Sequence, residues 1–564
     1  MNKFFLILAV FLFCSRSLQA QFIPKNLSKE EIEQAHQWVN KTYHSLSEDE
    51  RLGQLFITAL YTNQGSEFIE NVRNLVNNEK IGGIILMQDD PIKETELVNE
   101  FQSTSKIPLL IGMDAEWGLN QRIPEAHKFP WEITLGAIQN DSLIYEMASK
   151  IAQDAKLMGI NWVFAPVVDV NTNPANPIIG NRSFGSDVQN VINKGYSYVK
   201  GLQDHGILSS IKHFPGHGDT DVDSHLDLPI VSHSIKRLEE VELAPFKALS
   251  QKEVAAVMVA HLYVPALEKQ KGIPATLSQH IVTDLLQKQL GFKGLIITDA
   301  LNMGAVAKHY KAGVLDEKAF AAGNDLLLFS QDVATGKKLI QQSIDAGRIP
   351  KSQLEKSVKK ILLAKYYLGL LDFQKNSTEN LVQNLNNSSH IELSKKLYAN
   401  ALTLLKNEKK LLPLQPNETV YYVPLEEAPY QKFSEELSKE VILKIIKPNQ
   451  ISSIPAHSKV IVGFHKDNST AYKPYKISAA SKNILSQLTQ NQNVILNVFG
   501  SPYALKNVDI SKVKTVLISY ENNPESLEAT AKAFLGKTKI HGRLPVLVND
   551  DLKFGDGIDL NPLH

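Results

Sequence analysis

A (β/α)₈ barrel, the TIM-barrel architecture, followed by a smaller α/β sandwich domain is the fold class this sequence predicts. Three observations predict it. Eight short apolar, β-branched runs recur between Leu55 and Phe329; helix-like segments alternate with them; and a second series of such runs follows a polar segment rich in Asn and Ser.

The first series is Leu55 to Leu60, Ile81 to Met87, Pro108 to Met113, Ile160 to Val168, Ile207 to Ile211, Val254 to Val259, Gly294 to Thr298 and Asp325 to Phe329. Each has the length and composition of a parallel strand buried on both faces. Between them Ser142 to Met158, Val188 to His205, Ile235 to Ser250 and Ser278 to Leu290 read as helices, several opened by a capping Ser, Thr or Asp. An open doubly wound sheet is the alternative arrangement of the same elements. A Lys-rich helical stretch, Lys351 to Leu371, closes the first domain, and Asp372 to Ser389 reads as a linker. The second series is Thr419 to Leu425, Val441 to Lys447, Lys459 to Phe464, Asn493 to Val498 and Thr515 to Tyr520, with helices over Ser478 to Thr489 and Pro524 to Leu535. The expected organisation is therefore a leader over 1–20, a barrel over 21–371, a linker over 372–389 and an α/β domain over 390–564.

Composition narrows the partners. The chain has 564 residues, 43% of them hydrophobic, enough to bury large cores. Lys+Arg and Asp+Glu are both 60, leaving no basic excess to attract phosphate backbones, so nucleic acid is not expected as a partner. Met1 to Ala20 pairs Lys3 with an apolar run, Phe4 to Phe13, and ends on a small residue, the pattern of a secretory signal too short to span a membrane. Export to a periplasmic or extracellular compartment is expected. The single cysteine, Cys14, lies in that segment, and the bulky Phe13 before it fits a lipoprotein processing site poorly. No later stretch of about 18 residues is apolar throughout, so no membrane span is expected.

In a barrel, chemistry gathers at the C-terminal ends of the strands. There the sequence places Asp114 and Glu116 with Arg122, Asp169 and Asn171 with Arg182, Lys212 and His213, His261, and Asp299. The loop after the fifth strand carries Asp223 and His225 two residues apart, where extended backbone puts both side chains on one side. A carboxylate accepting from one imidazole nitrogen leaves the other to exchange a proton with substrate. A loop whose Asp caps a turn and whose His is merely exposed has the same sequence. His213, His217, Asp223 and His225 are also metal-ligand types, but neither a His-x-His at the first strand nor a helical His-Glu-x-x-His accompanies them, and no metal or organic cofactor is expected.

Lys212-His213-Phe214-Pro215-Gly216-His217-Gly218-Asp219, followed by Asp223-Ser224-His225 and Leu228-Pro229, resembles the signature of glycoside hydrolase family 3 in its β-N-acetylglucosaminidase branch. Ile297-Thr298-Asp299-Ala300-Leu301-Asn302-Met303 is similar to the family's nucleophile segment, Gly180-Asn181-Arg182-Ser183-Phe184-Gly185 to its arginine loop, Pro274-Ala275-Thr276-Leu277-Ser278 to a further recurrent stretch, and Thr403-Leu404-Leu405-Lys406-Asn407 to the start of its C-terminal domain. The resemblance implies a retaining exo-β-N-acetylglucosaminidase with Asp299 as nucleophile, His225 as acid/base and Asp223 orienting it. It implies that Asp114, Arg122, Arg182, Lys212, His213 and Asp169 bind the sugar, and that the substrate is an N-acetylglucosamine-containing glycan or a muropeptide. Lys212 and the two arginines are expected to keep Asp299 ionised. A phosphorylase or β-glucosidase on the same scaffold is the alternative, since an imidazole does not repel phosphate as a carboxylate would. Trp117 stands where many members have glycine, and is either an aromatic face for a sugar or packing under a loop. Glu426, Glu427, Glu435 and Glu436 are expected on solvated surfaces, leaving the second domain without an evident catalytic duty.

Overall fold

The computed structural model describes residues 27–563; the expected leader, with Cys14, lies outside them. Eight parallel strands make the first sheet: β1 (Phe56–Leu60), β2 (Gly83–Leu86), β3 (Leu110–Met113), β4 (Trp162–Val163), β5 (Leu208–Phe214), β6 (Ala256–Val259), β7 (Leu295–Thr298) and β8 (Leu327–Leu328). Every residue of these strands is buried, which is why they read as continuous apolar runs rather than alternating ones. Neighbours follow chain order from β1 to β7, β8 pairs with β1, and a bridge between Ile297 and Leu326 joins the two ends. The sheet is thus a barrel, not an open doubly wound sheet.

Strand β4 is regular only over Trp162–Val163, against an expected Ile160 to Val168. Pro166 has no N–H for the ladder, and pairing resumes beyond it, where Val167 bridges Lys212 and Val168 N–H donates to the Lys212 carbonyl at 2.8 Å. Gly112 in β3 makes room for the Phe164 ring inside the barrel: a Cβ there would lie 2.5 Å from it.

The second sheet has six strands, β9 (Thr403–Asn407), β10 (Thr419–Leu425), β11 (Ile442–Ile445), β12 (Lys459–His465), β13 (Asn493–Phe499) and β14 (Thr515–Ile518), in the order β11-β10-β12-β13-β14-β9. All pair in parallel except β9, which runs antiparallel to β14. Alternate residues of β12 serve two cores. Val460, Val462 and Phe464 join the apolar cluster continuous with the barrel, while Ile461 packs with Phe433 and Phe534 from the helices Gln431–Ser438 and Pro524–Phe534. Polar ties also link the two parts: Trp131 N–H and Thr134 Oγ1 donate to Glu521 at 3.0 and 2.8 Å, and Asn171 Nδ2 donates to Tyr503 Oη at 2.7 Å. Among the described residues, no helix is long and apolar enough to cross a membrane.

Candidate active site

Residues at the end of β5 and in the segments following β3, β4, β5 and β7 converge on a cavity of about 400 Å³ at the C-terminal rim of the barrel. Asp114, Arg122, Arg182, Lys212, His213, His225 and Asp299 all line it. Asp299 sits one residue beyond β7; its N–H continues the ladder to the Val259 carbonyl at 2.8 Å, and its Oδ1 accepts the Ala300 N–H at 2.8 Å. The strand end thereby fixes the carboxylate from both sides. Burial raises its pKa, but His261, His213, the Ala300 N–H and His225 outweigh burial, so Asp299 lies below the ordinary aspartate value and stays ionised. Lys212 and the two arginines, expected to hold this charge, are engaged with other carboxylates.

Those cations form a ladder with two carboxylates. Arg182 grips Glu116 through two parallel bonds, Nε to Oε2 at 2.8 Å and Nη2 to Oε1 at 2.7 Å. Lys212 Nζ stands 2.7 Å from Glu116 Oε1 and 2.9 Å from Asp114 Oδ1, and Arg122 pairs with the other oxygen of Asp114. Burial acts against both carboxylates, yet the neighbouring cations hold them well below the usual carboxylate range. Lys212 and His213 are consecutive in β5, yet both reach the cavity; the ladder with β6 slips between Ile211 and Phe214, which re-aims this segment.

Asp169 does not line the cavity. It is buried behind the wall, where its oxygens accept from His213 Nδ1 at 2.7 Å and from the His217 backbone N–H at 2.7 Å. Arg182 Nη2 lies 3.3 Å from His213 Nε2, so the ring is held between Asp169 and Arg182. His217 contacts Thr220 and Ser224 at 2.7 and 3.2 Å, and burial pushes its imidazole down to about 4.

The Asp223–His225 pair forms as expected: His225 Nδ1–H donates to Asp223 Oδ1 at 2.8 Å. Nε2 is the ring's other polar atom, and the side chain is 57% exposed at the cavity. The pair is docked on the loop after β7, where Gly304 N–H donates to the His225 carbonyl at 3.2 Å. A Cβ at Gly304 would lie 2.6 Å from that carbonyl, so only glycine permits the approach.

Two neighbours of the site, Glu116 and Tyr472, carry no role in the sequence reading. Glu116 is buried at the junction of Arg182 and Lys212, and its place two residues after Asp114 was its only signal. Tyr472, from the second domain, lines the cavity although no motif marks it. Trp117 packs in the core, edge-on to Trp131 with ring centroids 6.3 Å apart, and does not line the cavity. Glu426 is not on a solvated surface: its side chain is 5% exposed and paired with Lys466 at 3.2 Å. Among the described residues, Asp219, His233 and Glu242 bring potential ligand atoms within 4.8 Å of one another, but Arg237 Nη2 already donates to Glu242 at 3.0 Å and lies 3.8 Å from Asp219. A guanidinium thus supplies positive charge there.

The sequence profile of the glycosyl hydrolase family 3 N-terminal domain matches residues 47–364. The chain is 27% identical over 543 residues to a β-N-acetylglucosaminidase/β-glucosidase of Cellulomonas fimi, covering 90% of this chain and 95% of that one. It is 29% identical over 547 residues to β-hexosaminidase A of Pseudoalteromonas piscicida, covering 84% and 90%. Among solved structures it is similar to a glycoside hydrolase family 3 β-N-acetylglucosaminidase from Paenibacillus sp. str. FPU-7, with a TM-score of 0.72 and 29% identity over 89% of this chain and 99% of that one. With the profile spanning more than half of its length and the barrel rim carrying the residues described above, this chain belongs to glycosyl hydrolase family 3.

Proposed function

We propose that the protein is a retaining exo-β-N-acetylglucosaminidase acting through Asp299, His225 and Asp223. The observation that carries this reading is the meeting of an ionised Asp299 and the Asp223-held imidazole of His225 in one cavity. Asp299 attacks the anomeric carbon and forms an acylal ester as the glycosidic C–O bond breaks; protonated His225 gives its Nε2 proton to the departing oxygen. Water then attacks the same carbon, passing a proton back to Nε2, and the ester oxygen leaves on Asp299, with net retention. Asp223 keeps Nδ1 protonated and stabilises the imidazolium. Asp114, Arg122, Arg182, Lys212 and His213 bind the sugar hydroxyls and N-acetyl group, while Asp169 orients His213 and Glu116 orients Arg182 and Lys212. The names of the Cellulomonas fimi, Pseudoalteromonas piscicida and Paenibacillus relatives support the N-acetylglucosamine preference. Export and this sugar together point to peptidoglycan fragments as the source of substrate.

The test is turnover of an aryl N-acetyl-β-glucosaminide against the matching aryl β-glucoside, with and without phosphate and with and without a chelator. Release of free N-acetylglucosamine, indifferent to both additions, is expected. A sugar phosphate as product would make the enzyme a phosphorylase, preference for the glucoside would reassign the sugar, and silence on both would leave a binding protein.

A further inference from the structure

The second domain sends one segment, residues 466–478, to the mouth of the barrel. Both of its ends are held by the same carboxylate: Glu426 Oε2 pairs with Lys466 Nζ at 3.2 Å, and Glu426 Oε1 accepts the Ser478 N–H at 3.0 Å. Its middle is fastened to the barrel, because Asn181 Nδ2, next to Arg182, donates to the Ala471 carbonyl at 3.1 Å, and Ala471 is buried. The Tyr475 hydroxyl donates to the Pro174 carbonyl a few residues earlier in the same barrel loop. Tyr472, between these two anchors, forms part of the cavity wall within electrostatic reach of Arg122 and Arg182, and is itself 53% exposed. An aromatic ring that is pinned on both sides yet left uncovered beside hydrogen-bonding cations has the composition of a sugar site: polar groups for hydroxyls and an apolar face for ring C–H groups.

We propose that Tyr472 is a sugar-binding residue of this site, its ring forming the wall against which the bound sugar lies. The inference rests on the reading of the site as one for N-acetylglucosaminides. It explains why a loop with no catalytic group is tied down at Glu426, Asn181 and Pro174.

The test uses the full chain with Tyr472→Ala and Tyr472→Phe, assayed on an aryl N-acetyl-β-glucosaminide and for inhibition by N-acetylglucosamine. Tyr472→Ala is expected to raise KM and the inhibition constant together by about 10-fold, with kcat within about 3-fold, because a contact to the sugar is lost while the chemistry is untouched. Tyr472→Phe, which keeps the ring, is expected to stay within about 2-fold of wild type on all three. A merely structural role would lower the thermal midpoint without moving the two constants in parallel. Unchanged KM and inhibition constant in Tyr472→Ala, or a Phe variant as impaired as the Ala variant, would overturn the inference while leaving the reaction intact. Wild-type protein silent on this substrate would instead overturn the reading of the reaction, and the inference with it.

Discussion

His225 Nδ1–H donates to Asp223 Oδ1 at 2.8 Å, and the backbone N–H of His225 donates to the same oxygen, also at 2.8 Å. One carboxylate oxygen therefore fixes both the position of the loop and the proton on the ring. The other nitrogen, Nε2, is left to exchange a proton in the proposed mechanism, where His225 takes the place of a second carboxylic acid beside Asp299.

Removing either member of this pair should show in leaving-group dependence. His225→Ala should lose about 10³-fold or more on a poor alkyl leaving group but far less on dinitrophenyl, which departs without a proton. Azide should then rescue the second step of the dinitrophenyl substrate and yield a β-glycosyl azide. Asp223→Asn, which can accept the Nδ1 proton less well, should cost about 10- to 100-fold in kcat on the alkyl substrate. Equal losses on both substrates would count against His225 as the acid.

Gly304 holds the same pair from below. A methyl group there meets the His225 carbonyl at 2.6 Å, so Gly304→Ala must shift the loop. A reduction of about 10- to 100-fold in kcat/KM is expected with an unchanged circular dichroism spectrum, since small displacements of a proton donor are costly. Full activity would show that the contact does not position His225.

Glu116 neutralises two cations at once. Glu116→Ala leaves Arg182 and Lys212 buried with one fewer carboxylate between them, and should destabilise the fold by about 3–5 kcal/mol in denaturant titration. KM should rise as well, because both cations lose their fixed positions. A neutral effect on stability would mean that Asp114 compensates both cations by itself.

Glu94 offers a pH test away from the site. It is 0% exposed, neither carboxylate oxygen has a hydrogen-bond partner, and burial, with Asp89 and Asp90 nearby, raises its pKa to about 8. An unfolded glutamate titrates near about 4.3, so below that pH both states hold the proton and no penalty arises. Between these values only the folded state keeps it, and stability falls as pH rises until both states are ionised above about 8. Glu94→Gln should therefore gain about 1–3 kcal/mol over wild type at pH 8 relative to pH 4, read from denaturant midpoints. A gain independent of pH would refute the buried-acid account.

Much of this was legible from local pattern. The eight barrel runs are buried on both faces, so composition alone marked them, and Asp299 and Lys212 followed from their places at strand ends. The Asp223–His225 contact spans two residues, within reach of a local argument. Longer-range features were not legible. Strand β9 follows the helix Ser388–Ala401 after a single residue and is mixed in polarity, so its pairing with β14, more than a hundred residues away, had no periodic signal. Lys212 and the arginines stand at the rim as expected, but that they spend their charge on Asp114 and Glu116 depends on side-chain directions that strand position does not specify. Tyr472 reaches the cavity only because two domains pack together, and Trp117 turned inward for the same reason of three-dimensional packing.

In the proposed mechanism Asp299 carries the sugar through a covalent ester. The direct measurement is mass spectrometry of His225→Ala quenched during turnover of dinitrophenyl N-acetyl-β-glucosaminide, where loss of the base should let the glycosyl-enzyme accumulate. One N-acetylglucosaminyl group per chain is expected, located on the peptide containing Asp299 and absent from Asp299→Ala, which should itself be inactive. An unmodified protein releasing the α-anomer first, or an adduct on another residue, would contradict it.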